Sequence, residues 1–380
     1  MPKIKLKQKS KVETLKDRLK KPVLKQCATA STESDKYLYK VDSGSWALNL
    51  ALTNDINCGY PRGRVINAVG DFSTGKTLMA CELVNSIWYI EHVLKGKRVK
   101  IYYDESEFAF DIELARKFNM PLEHMLGIRD RMPGWKQPKN EKPFTISRTV
   151  EDLYTNLTEA SAESCDYDII LYIKDSLDSL TDAREIAHIE KKGVGKQDYG
   201  GGKARVMSQM FRNCIEGINT SNVLLFIISQ VRENFGVMFG PKYTRSGGKA
   251  LDHYASIIYW LREADKIVHP ATKMIQGIEA EILVTKNKVG ERYNNLTLNI
   301  LHGYGVDNIG SAVNYLWDNK ILKIEGAYLN WEGKKMYRSA LMELASNDAP
   351  TSEAIKALWQ AHWQLQVEKS KPNRPPKWGG

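Results

Sequence analysis

The sequence lacks the features that would place it in a membrane or outside a cell. Its 380 residues hold only five cysteines (Cys27, Cys58, Cys81, Cys165, Cys214), none paired as C-x-x-C. That argues against a zinc ribbon or finger and against a disulfide framework, and points to a reducing interior. Long apolar runs are also missing. The longest aliphatic and aromatic run spans Val223 to Ile228, far short of the ~20 residues a membrane-spanning helix needs. The N-terminus alternates lysine with other residues and has no apolar core of a secretory signal. The expected location is therefore cytoplasmic, with no membrane partner.

Acid is scarce at both ends. Residues 1–25 carry ten Lys or Arg against Glu13 and Asp17 alone, and residues 369–380 carry four and no acid. The net charge of +10 thus sits on two arms around a nearly neutral body. Such arms suit a polyanion, because each cation near a phosphate releases a counterion. A solvated tail explains the same run, and charge alone does not choose.

Between the arms, apolar strands are expected at Arg64–Val69, Val99–Tyr103, Asp168–Ile173 and Asn222–Ser229. Helical patterns lie between them at Thr77–Leu94, Asp111–Phe118, Val150–Ala162 and Lys203–Ile218. This alternation predicts an α/β fold with a mostly parallel sheet covered on both faces. Residues 129–147 are polar with three prolines, as in a surface loop or inserted hairpin. After Val306 the pattern becomes a helix (Gly310–Asn319), a hairpin (Ile321–Met336) and two helices (Ser339–Ser346, Thr351–Glu368). The expected plan is a basic arm and linker over 1–35, a core over 36–306, and a small α+β C-terminal domain with a basic tail over 307–380.

The most specific string is Gly70-Asp71-Phe72-Ser73-Thr74-Gly75-Lys76-Thr77, which fits G-x-x-x-x-G-K-[ST]. Its glycines let backbone N–H groups wrap phosphate oxygens. Lys76 would reach the β- and γ-phosphates, and the Thr77 hydroxyl would bind Mg²⁺. The motif follows a strand and opens a helix, so the helix N-terminus also faces the anion. Nucleotide binding, with ATP and Mg²⁺, is the expectation. Asp175 ends an apolar strand and is the metal-side acid. Hydrolysis needs a carboxylate to orient water, and Asp104, Glu105 and Glu107 all follow the strand Val99–Tyr103. Spacing alone leaves that choice open.

From about Val41 to Trp331 the chain resembles the RecA recombinase family. The resemblance rests on Val41–Leu48, Glu105–Asp111, Arg205–Gln209, Gly236–Gly240, Gly247–Leu251 and Lys286-Asn287-Lys288, in that order. The phage UvsX branch has a similar D-S-E-F stretch. The resemblance implies a RecA-like P-loop ATPase core with a basic N-terminal helix for protomer docking. It assigns the catalytic glutamate to Glu107 and a γ-phosphate-sensing switch to Gln230. Asp111 joins the nucleotide contacts. Asp182–Gly202 resembles the first DNA-binding loop and Val231–Gly248 the second. Tyr199, Arg205, Arg212, Arg232, Phe235, Arg245, Gly247, Gly248 and Lys249 are the implied DNA contacts. Lys286 and Lys288 match lysines that reach a neighbouring subunit's nucleotide. Departures include Leu114 for an adenine-stacking aromatic, Phe72 for a polar P-loop residue, Asn234 for a DNA-contacting lysine, and a basic rather than acidic tail.

The function implied is an ATP-dependent recombinase that forms a helical filament on single-stranded DNA, pairs it with homologous duplex DNA, and hydrolyses ATP when DNA is bound. A ring-forming helicase of the same fold and an ATP-gated coat with little turnover are the alternatives.

Overall fold

The computed structural model describes residues 39–139, 141–193, 202–233, 243–245, 248–291 and 296–374. The basic arm, Tyr199, Phe235, Gly247 and the end of the basic tail lie outside the described residues.

The core is a ten-stranded sheet. Its central strands are β3 (Arg64–Gly70), β4 (Val99–Glu105), β6 (Ile169–Asp175) and β7 (Val223–Glu233). With β9 (Ile257–Val268) and the short β5 (Met125–Leu126), they stand in the order β9-β3-β7-β6-β4-β5, all parallel. Beyond β9 the sheet continues antiparallel through β10 (Ile275–Asn287), β11 (Leu296–Leu301) and β12 (Gly305–Asp307). The short β8 (Tyr243–Arg245) pairs with β7. A separate pair, β1 (Lys40–Val41) and β2 (Tyr60–Pro61), brackets α1 (Trp46–Thr53).

The strands are apolar without interruption because both faces are covered. Leu171, Ile173, Leu224 and Phe226 face one core, while Ile170, Tyr172, Leu225 and Ile227 face the other, as a side-chain period of two requires. The first core packs against α1 and against α2 (Lys76–Ser86), which continues as a π-helical segment over Ile87–Leu94. The sequence pattern reads this as one helix. The π segment carries buried Glu91, which accepts bonds from Tyr39 and from Lys95 at 2.8 Å. The short α3 (Ile112–Lys117) also lies on this side. The second core packs against α4 (Val150–Ala162) and α6 (Gly202–Thr220). Between β6 and α6 lies α5 (Ala183–Lys192), inside the segment expected as the first DNA loop, and α7 (Gly248–Tyr254) precedes β9.

The expected hairpin after residue 320 is a three-strand meander: β13 (Lys323–Glu325), β14 (Tyr328–Trp331) and β15 (Lys334–Tyr337). Gly326 and Gly333, both at positive φ, make its two turns. Around it stand α8 (Asn308–Asp318), α9 (Arg338–Asn347) and α10 (Ala349–Ser370). These elements share an apolar cluster with the main sheet, running from Leu48 and Leu298 to Trp359. Gln360 on α10 also bonds to the backbone of Asn54 at 3.0 Å and of Ile56 at 2.6 Å. Among the described residues no helix is long and apolar enough to cross a membrane.

Candidate nucleotide and DNA site

Parallel pairing brings four strand ends to one edge of the sheet. Gly70 of β3 is opposite Gln230 of β7, and Glu105 of β4 is opposite Asp175 of β6. This carboxyl edge is where an open α/β sheet places its ligand.

The phosphate turn spans Gly70 to Thr77. A Cβ on Gly70 would lie 2.4 Å from Thr74 Oγ1, and Gly75, at φ +95°, would drive one to 2.3 Å from Ile300 Cδ1. Both positions need glycine. Gly75 begins α2 with no side-chain cap, so the first N–H groups of the helix have no side-chain partner there. Thr74 Oγ1 donates to Asp71 O at 2.9 Å, and Lys76 Nζ donates to the same carbonyl. The Lys76 ammonium is largely buried, and burial lowers its pKa while Asp175 and Asp71 raise it. A phosphate would supply the charge it lacks. Ser73, at φ +58°, and Phe72, 75% exposed, form the outer rim.

Beside the turn, Thr77 Oγ1 donates to Asp175 Oδ2 at 3.1 Å, and Tyr103 OH donates to the same oxygen at 3.3 Å. Burial raises the Asp175 carboxyl to about 6, and Glu107 adds to the shift. A cation beside it would bring it back down. Among the described residues there is no set of three His, Cys, Asp or Glu that could hold a metal. A hydroxyl and one carboxylate suit Mg²⁺, which takes few protein ligands and completes its shell with water and phosphate oxygens.

The three candidate acids separate by environment. Asp104 is wholly buried on the face of the second core and pairs with Lys174. Glu105 is buried against Arg131 Nη1 at 2.8 Å and caps Ala109 N at 3.0 Å. Glu107 alone is open to solvent. Its Oε1 accepts from Ser176 Oγ and from Gln230 Nε2, the latter at 3.0 Å. The backbone N–H of Gln230 is held by Asp178 Oδ2 at 2.8 Å. The side chains matched to the catalytic glutamate and the switch glutamine are thus in direct contact.

A cavity of about 470 Å³ opens from the turn and is lined by Thr77, Leu114, Phe118, Ile300 and His302. Leu114 and Phe118 are one helical turn apart, so they share a face. The aromatic missing at position 114 is present at 118. Sequence reading missed Phe118, His302 and Ser176; only the i, i+4 spacing to Leu114 could have flagged Phe118. Asp111 caps α3 by accepting from Leu114 N at 2.9 Å.

The remaining residues lie apart. Lys286 pairs with Ile258, itself opposite Asn67 of β3, and Lys288 N bonds to Ser256 O, whose own N bonds to Val65 O. That is the opposite edge of the sheet: Val65 precedes Gly70 by about 16 Å along the strand. Lys286 Nζ donates to the carbonyls of Asp252 and His253, the latter at 2.9 Å, and Lys288 Nζ to His253 O at 3.3 Å. Burial pushes Lys286 down to about 8, with the Lys288 charge adding to it. The structure does not bring these lysines to the P-loop of their own chain.

Arg205 and Arg212 are exposed and seven residues apart on α6, hence on one face. Arg232 is the last residue but one of β7, Gly248 opens α7, and Lys249 is exposed one residue later. Arg245 differs from the expectation of an open DNA contact. It is buried and ion-paired with Asp252, because β8 tucks it against α7.

A strand that ends in a P-loop, with a carboxylate and a glutamine meeting beside it on a parallel sheet, has the layout of a RecA-like core. Comparison with known proteins agrees. The model of the RecA N-terminal domain matches residues 12–307, beginning inside the basic arm and ending where α8 starts. Protein RecA of Bacillus velezensis is 29% identical over 304 residues, 80% of this chain and 77% of its own. Protein RecA of Macrococcus caseolyticus is 30% identical over 304 residues, 80% of this chain and 75% of its own. The chain belongs to the RecA family of recombinases.

Proposed function

We propose that the chain is a DNA-dependent ATPase that assembles on single-stranded DNA as a helical filament, pairs it with homologous duplex and exchanges strands. The observation that carries this reading is the Glu107–Gln230 contact at 3.0 Å. It joins a candidate water-orienting carboxylate to the strand that leads directly into the segment matched to the second DNA loop. A nucleotide γ-phosphate would compete for the Gln230 amide, so occupancy of the site and the setting of that strand would be linked.

The residues fit ATP and Mg²⁺. The uncapped N-terminus of α2 and Lys76 would hold the phosphates, Thr77 and Asp175 the cation, and Leu114 and Phe118 the base. Bound Mg²⁺ would neutralise phosphate charge during transfer. Glu107 would orient and deprotonate the attacking water. Lys286 and Lys288 face away from their own P-loop, which supports a role at a neighbour's site, as an arginine finger acts in trans. Arg205 and Arg212, on one exposed helix face, suit a phosphate backbone. The test is hydrolysis with and without single-stranded DNA, together with electron microscopy. Helical filaments with DNA-stimulated turnover support the reading; closed rings, or DNA coating without turnover, refute it.

A further inference from the structure

On the face of β4 and β6 away from the phosphate turn, the strand pattern calls for apolar side chains. Tyr102, Ile170 and Tyr172 follow that pattern, yet the next positions are Asp104 and Lys174. They sit directly opposite each other in the parallel register, and both are wholly buried. A buried ion pair is weak support for stability, since apolar residues of the same volume often serve as well. Its bonds point to another use.

The Asp104 carboxylate is saturated. It accepts from Lys174 Nζ at 3.3 Å, Tyr172 OH at 2.8 Å, Ser147 N at 2.9 Å and Ser147 Oγ. Lys174 Nζ also donates to Asp104 O at 3.2 Å, and its shortest bond, 2.6 Å, goes to Ser106 Oγ. Ser106 lies just beyond the end of β4, immediately before Glu107.

From there the hydrogen bonds have one consistent direction. An ammonium can only donate, so Ser106 Oγ accepts from Lys174 and turns its own proton to Ser179 Oγ. Ser179 Oγ donates to Ser176 O at 2.8 Å, and Ser176 Oγ donates to the Glu107 carboxylate. The backbone adds Ser106 N to Asp175 O at 3.0 Å. The Ser106 and Ser179 hydroxyls each receive one bond and give one proton; that relay ends on the Ser176 carbonyl, and the hydroxyl of the same residue separately holds the Glu107 carboxylate.

We infer that Lys174 is a positioning residue for Glu107. It anchors Ser106 to β6 and, through the Ser106–Ser179 relay, fixes the backbone of Ser176, whose hydroxyl holds the Glu107 carboxylate. This inference rests on the proposed role of Glu107 in hydrolysis.

The test uses the full chain with single-stranded DNA and ATP. Two variants break the chain at different places. Lys174→Met combined with Asp104→Asn removes both charges together, leaving no lone buried ion. Ser106→Ala keeps the ion pair and removes only the next link. Both should lower kcat by about tenfold, while KM for ATP and ATP-dependent DNA affinity change less than about twofold. Ser106→Thr, which keeps the hydroxyl, should restore most of kcat. Unchanged kcat in Ser106→Ala would overturn the inference, as would equal losses in Ser106→Ala and Ser106→Thr. Glu107→Gln, measured alongside, separates the two claims. Wild-type turnover in Glu107→Gln would remove the role of Glu107 itself. If Glu107→Gln is inactive but Ser106→Ala is not, only the positioning role of Lys174 fails.

Discussion

The two edges of the central sheet carry different sets of charged groups. At the carboxyl edge, Gly70, Glu105, Asp175 and Gln230 are brought together by parallel register, Thr77 of the phosphate turn bonds to Asp175, and Glu107 bonds to Gln230. At the other edge, Lys286 and Lys288 converge on the last carbonyls of α7, beside Ser256 and Val65. The first edge holds a phosphate turn and acids, and the second holds two cations with no phosphate turn. The contrast teaches that the phosphate turn and the lysine pair of one protomer lie too far apart to act together; under the proposed function they are two half-sites that assembly would join.

The largest effect should come from the first edge. Lys76→Ala should lower ATP turnover by at least about a hundredfold, because a buried charge–phosphate contact is lost; steady-state hydrolysis checks this. Glu107→Gln should lower kcat by about 10²–10⁴, the usual share of acid–base catalysis. It should leave nucleotide and DNA bound, as seen by filter binding with long-lived complexes. At the second edge, Lys286→Ala should leave nucleotide binding by isolated protomers within about twofold, yet lower DNA-stimulated turnover by about tenfold or more. Equal losses of binding and turnover in that variant would erase the distinction between the edges.

The smallest effect concerns stability alone. Glu82 on α2 accepts from Val306 N at 2.8 Å, and burial raises its carboxyl to about 7, with Asp42 adding. The unfolded chain releases this proton near the ordinary glutamate value and the folded chain near 7, so the folded state binds more protons in between. Stability therefore falls as pH rises through that window. Glu82→Gln, which keeps an acceptor for Val306, should be more stable than its parent at about pH 8, by at most about 3 kcal/mol. The gain should fade below about pH 4.5, as followed by urea melts.

The first edge was legible in the sequence and the second only by resemblance. A P-loop after a strand and an acid ending a strand are local patterns with local physics, and both stand where expected. The strand β9 and the long antiparallel β10 are set by pairing between distant segments, so spacing gave no sign that Lys286 lies at the far edge from its own P-loop. The choice among Asp104, Glu105 and Glu107 was likewise open to spacing, because burial separates them: two are sealed by Lys174 and Arg131, and one is open to solvent. The burial of Arg245 was hidden for the same reason, since Asp252 reaches it only after β8 folds back along β7. Phe118 and Lys174 went unassigned because their partners come from other strands and loops.

The most direct test of two half-sites is a mixture. Lys76→Ala supplies sound lysines and a broken phosphate turn, and Lys286→Ala supplies the reverse. Each alone should hydrolyse little ATP on DNA. Co-assembled on single-stranded DNA, they should recover turnover at junctions where a sound phosphate turn of one meets the sound lysines of the other. Mixed filaments, shown by labels on both variants to contain each, that hydrolyse no more than the sum of the two alone would contradict the account.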